Sequence, residues 1–97
     1  MTAYISLVNF TEQGVRGIKE TVNRAKAFEK AMESVGARKI GVWWTLGQYD
    51  MVLIAEAPDD ETIARALISL GMLGNVRTVS LRAFSEVEME KIVSGLK

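Results

Sequence analysis

The chain has 97 residues, 48% of them apolar, with 12 acidic and 12 basic side chains. That length suits one small domain with a single core, and the apolar content excludes a disordered tail. The balanced charge removes any large electrostatic pull toward nucleic acid or anionic lipid, and neutrality favours association over mutual repulsion.

Neither Cys nor His occurs. Disulfides, thiolate nucleophiles, imidazole bases and the usual zinc and copper ligand sets are therefore excluded as chemistry for this chain, and no cofactor is expected. Its apolar runs fall far short of a bilayer span and its first residues lack a signal-peptide pattern, so the expectation is a cytoplasmic protein without a membrane partner.

Ala3 to Phe10 (AYISLVNF) is β-branched and aromatic and reads as a strand. Thr11 is placed to cap a helix whose apolar stripe is Val15, Ile18, Val22, Ala25, Phe28, Met32 and Val35, with Gly36 as its left-handed C-cap. RKIGVWWTL and DMVLIAEA flank GQY as a hairpin, with Gly47 supplying a positive φ in the turn. Pro58 stops the second hairpin strand. Asp59, Asp60 and Glu61 put negative charge at the start of a further helix, whose buried side is Ile63, Ala64, Leu67, Ile68 and Leu70 and which Gly71 closes. Asn75 to Phe84 is the last strand, and Ser85 with Glu88 forms a capping box that starts a C-terminal helix bearing Met89, Ile92, Val93 and Leu96 on one side.

The order β-α-β-β-α-β-α matches a ferredoxin-like α+β fold with an extra C-terminal helix, its helices covering one face of a four-stranded antiparallel sheet. A half-covered sheet should alternate apolar and polar residues, and these strands do so poorly. Ile5, Leu7, Ile40, Val42, Trp44, Met51, Leu53, Val79 and Leu81 read as the helix-facing set. The other set would show Tyr4, Val8, Trp43, Val52, Ile54 and Phe84 to water among Ser6, Thr45, Asp50, Glu56, Thr78, Ser80 and Arg82. Leaving that much apolar surface wet forfeits several kcal/mol at about 25 cal/mol per Å². A homodimer or higher homo-oligomer with sheets packed face to face, of the dimeric α+β barrel type, is expected.

Four stretches carry a resemblance: FTEQG (Phe10 to Gly14), TLGQYD (Thr45 to Asp50), EAPDD (Glu56 to Asp60), and GNVRT followed by LRAF (Gly74 to Phe84). In these the chain closely resembles the GYD domain family, small bacterial and archaeal proteins named for a Gly and Tyr-Asp that are matched here by Gly47, Tyr49 and Asp50. The resemblance implies a ferredoxin-like dimeric α+β barrel over essentially the whole chain and carries no established reaction.

The residues themselves offer two readings of WWTLGQYD. In the plainer one Gly47 makes the turn, Trp43 and Trp44 point to opposite faces, and Asp50 caps or pairs locally. In the sharper one Tyr49 and Asp50 stand at a pocket rim, with Asp50 or Tyr49 as a base. Arg77 and Arg82 lie five apart and so occupy opposite faces. Arg82 is the anion anchor of choice, by its planar fork, unless Asp50 or Glu56 pairs with it. Tyr4, Ser6, Trp43 and Thr45 complete an expected wall for a small, partly apolar, anionic ligand at a cavity between the sheets. Gly14 and Gly17 lack a full phosphate-loop pattern and read better as close packing of helix on strand. The absent nucleophile–base pair favours a binding module. The alternative is a cofactor-independent enzyme of isomerase or monooxygenase type, known on similar barrels, and fold analogy is a weak warrant for it.

Overall fold

A computed structural model describes residues 1–97. The elements in order are β1 (Thr2–Phe10), α1 (Glu12–Arg16), a 3-10 turn (Ile18–Glu20), α2 (Thr21–Ser34), β2 (Arg38–Trp44), β3 (Met51–Ala57), α3 (Asp60–Met72), β4 (Val76–Ala83) and α4 (Glu86–Ser94). The strands form one antiparallel sheet in the order β2-β3-β1-β4. This is the ferredoxin-like arrangement with a helix added at its C-terminus.

The helix expected to run unbroken from Thr11 to Gly36 is instead divided at Gly17, which sits outside helical backbone at φ −98°, ψ 26°. Two separate anchors explain the break. The Thr11 hydroxyl caps α1 by accepting from Gly14 N–H at 3.1 Å, while Thr11 N–H donates to the Asn75 carbonyl at 3.0 Å. A Cβ at Gly14 would collide with the Asn75 backbone, so α1 lies directly on the loop that joins α3 to β4. Arg24 of α2 then donates to the Gly14 carbonyl at 3.1 Å. One axis is fixed by this clasp and the other by the sheet, and Gly17 absorbs the angle between them. Val15, Ile18 and Val22 are exposed as a result, and only Phe28 and Met32 of the predicted stripe reach the core.

Gly36 and Gly47 take positive φ as expected, but α3 runs past Gly71 to Met72, and its left-handed residue is Gly74 at φ +84°. Asp59 caps α3, accepting from Thr62 N–H at 2.8 Å, and these bonds from Thr62 hold its carboxyl below the usual carboxylate range. Under α2 and α3 the core gathers Tyr4, Met32, Leu53, Ala55, Ala57 and Ile63, with a second cluster of Val8, Met51 and Val76 toward the other end.

That core is thin. Thirteen of 97 residues are buried, whereas twenty large apolar side chains stand exposed, so the protomer leaves much apolar surface uncovered. The C-terminal helix shows it most plainly. Its capping box forms as the sequence predicts, yet Val87, Met89, Ile92, Val93 and Leu96 all face solvent and α4 adds nothing to the core.

Candidate functional site

The two faces of the sheet are decided by register. Directly opposed residues in an antiparallel pair share a face. Tyr4 opposes Ala55 and Arg82, Ser6 opposes Leu53 and Ser80, and Val8 opposes Met51 and Thr78. Since Leu53, Ala55 and Met51 lie under the helices, the residues Tyr4, Ser6, Val8, Thr78, Ser80 and Arg82 lie on that side too. This inverts the expected placement of β1 and β4. The hairpin keeps its expected sense, with Val42 toward the helices and Trp43, Val52 and Ile54 away from them. Ile40 falls at a bulge between Lys39 and Gly41 and is exposed instead of facing the core.

The open face therefore carries Ile5, Leu7, Trp43, Val52, Ile54, Val79 and Leu81. It is more uniformly apolar than the sequence suggested. Ile5 opposes Ile54 and Leu81, and Leu7 opposes Val52 and Val79, so the side chains form continuous rows across three strands. Trp43 is 53% exposed, Val79 52% and Leu81 49%. A Cβ at Gly41 would collide with the six-membered ring of Trp43, so the glycine lets the indole lie flat along the strand surface. An isolated glycine two residues before a Trp in a strand was the available signal for this seat. At the rim Arg38 pairs with Glu56, and Arg77 opposes Asn9 with no carboxylate in ion-pair range.

The residues expected to line one ligand wall are thus divided. Trp43 is on the open face. Ser6 is buried on the helix side, its hydroxyl 2.8 Å from that of Ser80. Tyr4 is also buried there and donates its phenol to Asp60 at the start of α3, a partner that sequence reasoning missed. Desolvation, then the Asp60 hydrogen bond and negative charge, push the Tyr4 phenol up to about 12, with Arg82 opposing them. Arg82 meets neither Asp50 nor Glu56. It stacks on the Phe84 ring at 4.1 Å and reaches Glu88 at 3.5 Å.

At the hairpin turn Thr45 and Asp50 are joined to each other and to β1. Thr45 Oγ1 donates to the Tyr49 carbonyl at 2.6 Å, Thr45 N–H to the Asp50 carbonyl at 2.8 Å, and Asp50 N–H to the Val8 carbonyl at 2.8 Å. The Asp50 carboxylate accepts from Phe10 N–H at 2.9 Å. Tyr49 lies half-buried beside it. Asp50 is thus held structurally, though its carboxylate meets a partner 40 residues away in β1 instead of the local one the plainer reading expected: it extends the sheet by tying the turn to the end of β1.

A second concavity opens on the other side of the molecule. Between α2 and α3 a cavity of about 490 Å³ descends to the sheet, lined chiefly by apolar groups that include Val8, Phe28, Met32, Leu70 and Leu73. Arg24, Lys39 and Arg65 also line it. Lys39 pairs with Glu29 at 3.1 Å and Arg65 with Glu61 at 3.4 Å, whereas Arg24 has no carboxylate in ion-pair range.

Known proteins can be set beside this geometry. A protein from Thermus thermophilus described as glutamine synthetase and cystathionine beta-lyase binding protein is 31% identical over 90 residues, which span 92% of this chain and 95% of the relative. The crystal structure of TTHA0845, also from Thermus thermophilus, superposes with a TM-score of 0.57 at 23% identity, covering 88% of this chain and 95% of that one, and so shares the fold. The GYD domain matches residues 4–93, nearly the full length, and the chain belongs to the GYD domain family.

Proposed function

We propose that this GYD-domain chain is a homodimeric binding module with no reaction of its own. Two copies stack open face on open face, and the resulting body docks on other proteins and holds a small, partly apolar anion at the seam. The observation that carries this reading is the continuous apolar field of Ile5, Leu7, Trp43, Val52, Ile54, Val79 and Leu81. Contiguous apolar patches on that scale characterise interfaces rather than solvated surface. Arg77, on the open side by register and without a carboxylate in ion-pair range, is supported as the anchor for the anion in place of Arg82.

Protein docking as the task is supported by the relative named for binding glutamine synthetase and cystathionine beta-lyase. The enzyme alternative, an isomerase or monooxygenase without a cofactor, draws no support from Asp50, whose carboxylate is engaged by Phe10 N–H. Sedimentation equilibrium tests the dimer. Trp43→Lys should weaken association about 100-fold, because it buries an unpaired ammonium at the seam; an unchanged dimer removes the basis of the reading. Calorimetric titration of the wild-type dimer with glutamine synthetase and with cystathionine beta-lyase of its own organism tests docking, and heat of binding to neither would overturn that part.

A further inference from the structure

The α4 helix and the groove between α2 and α3 are two unpartnered apolar features of one chain, and we propose that each is the other's partner between copies: α4 of one protomer lies in the α2–α3 groove of a second. On α4, Met89, Ile92 and Val93 stand at positions i, i+3 and i+4, the spacing by which an amphipathic helix anchors in an apolar groove, and Leu96 follows just past the helix end. All four are exposed in the protomer.

The groove calls for a cover of helical size. Its cavity has the volume of a small-molecule site, but the apolar surface continues beyond the mouth. Val35 and Leu73 on its walls are each more than half exposed, whereas Ile68 and Met72 lie on another flank of α3, beside Thr78 of β4. A small molecule sealed at the floor of the cavity would leave Val35 and Leu73 in water. A helix laid along α3 covers them as well as the cavity.

Charge agrees with this occupant. The α4 segment carries Glu86, Glu88 and Glu90 against Lys91, while the groove carries Arg24, Lys39 and Arg65 against Glu29. Arg24, the groove cation without a carboxylate, is available to Glu86 or Glu90.

The chain's own α4 is poorly placed for its own groove. Val8, Phe10 and Val76 line one end of the cavity, and Val76 begins β4 while α4 leaves from its other end after Ala83. The eight residues of β4 span about 26 Å, and only Phe84 and Ser85 join it to α4. The capping box and the Arg82–Glu88 pair set the direction of the helix, and the molecule extends 52 Å in its longest dimension against 18 Å in its shortest. Reciprocal exchange of α4 between two copies closes the arrangement by two-fold symmetry.

The absence of cysteine makes a clean test. Full-length chains carrying Ser69→Cys, on the groove lining, and Met89→Cys, on α4, are mixed and gently oxidised. The expected main product is the mixed disulfide dimer. Adding Ile92→Glu to the Met89→Cys chain should lower its yield about tenfold, since a carboxylate would enter an apolar groove, with circular dichroism unchanged because Ile92 is exposed in the protomer. Trp43→Lys should leave that yield intact, so the open-face dimer and the arm exchange succeed or fail separately. The proposal is overturned if folded chains give no mixed disulfide. It is equally overturned if the Ser69→Cys/Met89→Cys double variant closes within one chain at high dilution, or if native mass spectrometry finds a small molecule holding the groove while the arms stay uncrosslinked.

Discussion

Two residues, Asp50 and Tyr4, show how neighbours decide what a side chain does. Asp50 is a candidate base by residue type, yet a carboxylate that accepts a backbone N–H at the end of β1 is a brace for the sheet. Tyr4 is a candidate wall for a ligand by sequence, and it is instead a buried phenol donating to Asp60. Its acidity gives a direct prediction. Because the folded-state value is raised from about 10 to about 12, the folded chain holds the proton more tightly than the unfolded one. Stability from this site is therefore complete below pH 10 and is lost as pH rises toward 12. The loss should be about 1–2 kcal/mol once screening by nearby solvent is allowed for. Urea unfolding at pH 9 and pH 11 would measure it, and Tyr4→Phe should reduce the difference between the two curves. Neither role was legible in sequence, because Asp60 and Phe10 reach these groups only through long-range pairing.

At the scale of elements, local signals are reliable wherever the interaction is local. The Thr11 cap, the Gly36 and Gly47 turns and the Ser85–Glu88 box each involve residues within a few positions, and all form. The box matters more than usual because α4 has no core contact to hold it. Ser85→Ala should cost about 1 kcal/mol of helix stability, seen as faster amide exchange across residues 86–94 with β1 and β3 unaffected. Acid should act in the same way: the Ser85 N–H bond holds the Glu88 carboxyl below its ordinary value, so the cap is intact above that ordinary value and is lost as pH falls through the lowered one. The departures lie in elements set from afar. Gly17 breaks the first helix because α1 is tied to Asn75, and β1 is inverted because both of its alternating sets, Tyr4–Ser6–Val8 and Ile5–Leu7, look fit for burial. β4 misleads in the opposite way: its apolar set, Val79 and Leu81, lies on the open face, while Thr78, Ser80 and Arg82 fall on the helix side.

For the whole molecule, the excess of apolar surface is the property that survives the inversion. Exchanging the faces of β1 and β4 brings Ile5, Leu7, Val79 and Leu81 to the open face and sends Ser6, Thr78, Ser80 and Arg82 to the helix side, so the open face becomes more apolar. A chain that buries this surface only by associating should be more stable when concentrated. A tenfold rise in protein concentration is expected to raise the midpoint of thermal unfolding by about 3 °C, measured by scanning calorimetry. A midpoint independent of concentration would mark a protomer that is stable alone.

The fold, the Thr11 and Ser85 caps and the surplus of apolar side chains were determined by the sequence, since each follows from spacing or composition along the chain. The tertiary structure alone decided which side of the sheet each strand presents, which carboxylate meets which donor, and that α4 stands away from the body. Even-numbered residues of β1 oppose odd-numbered residues of β3 but even-numbered ones of β4. That parity is set by how intervening helices close over the sheet, and a slip of one residue would turn every side chain of a strand to the other face.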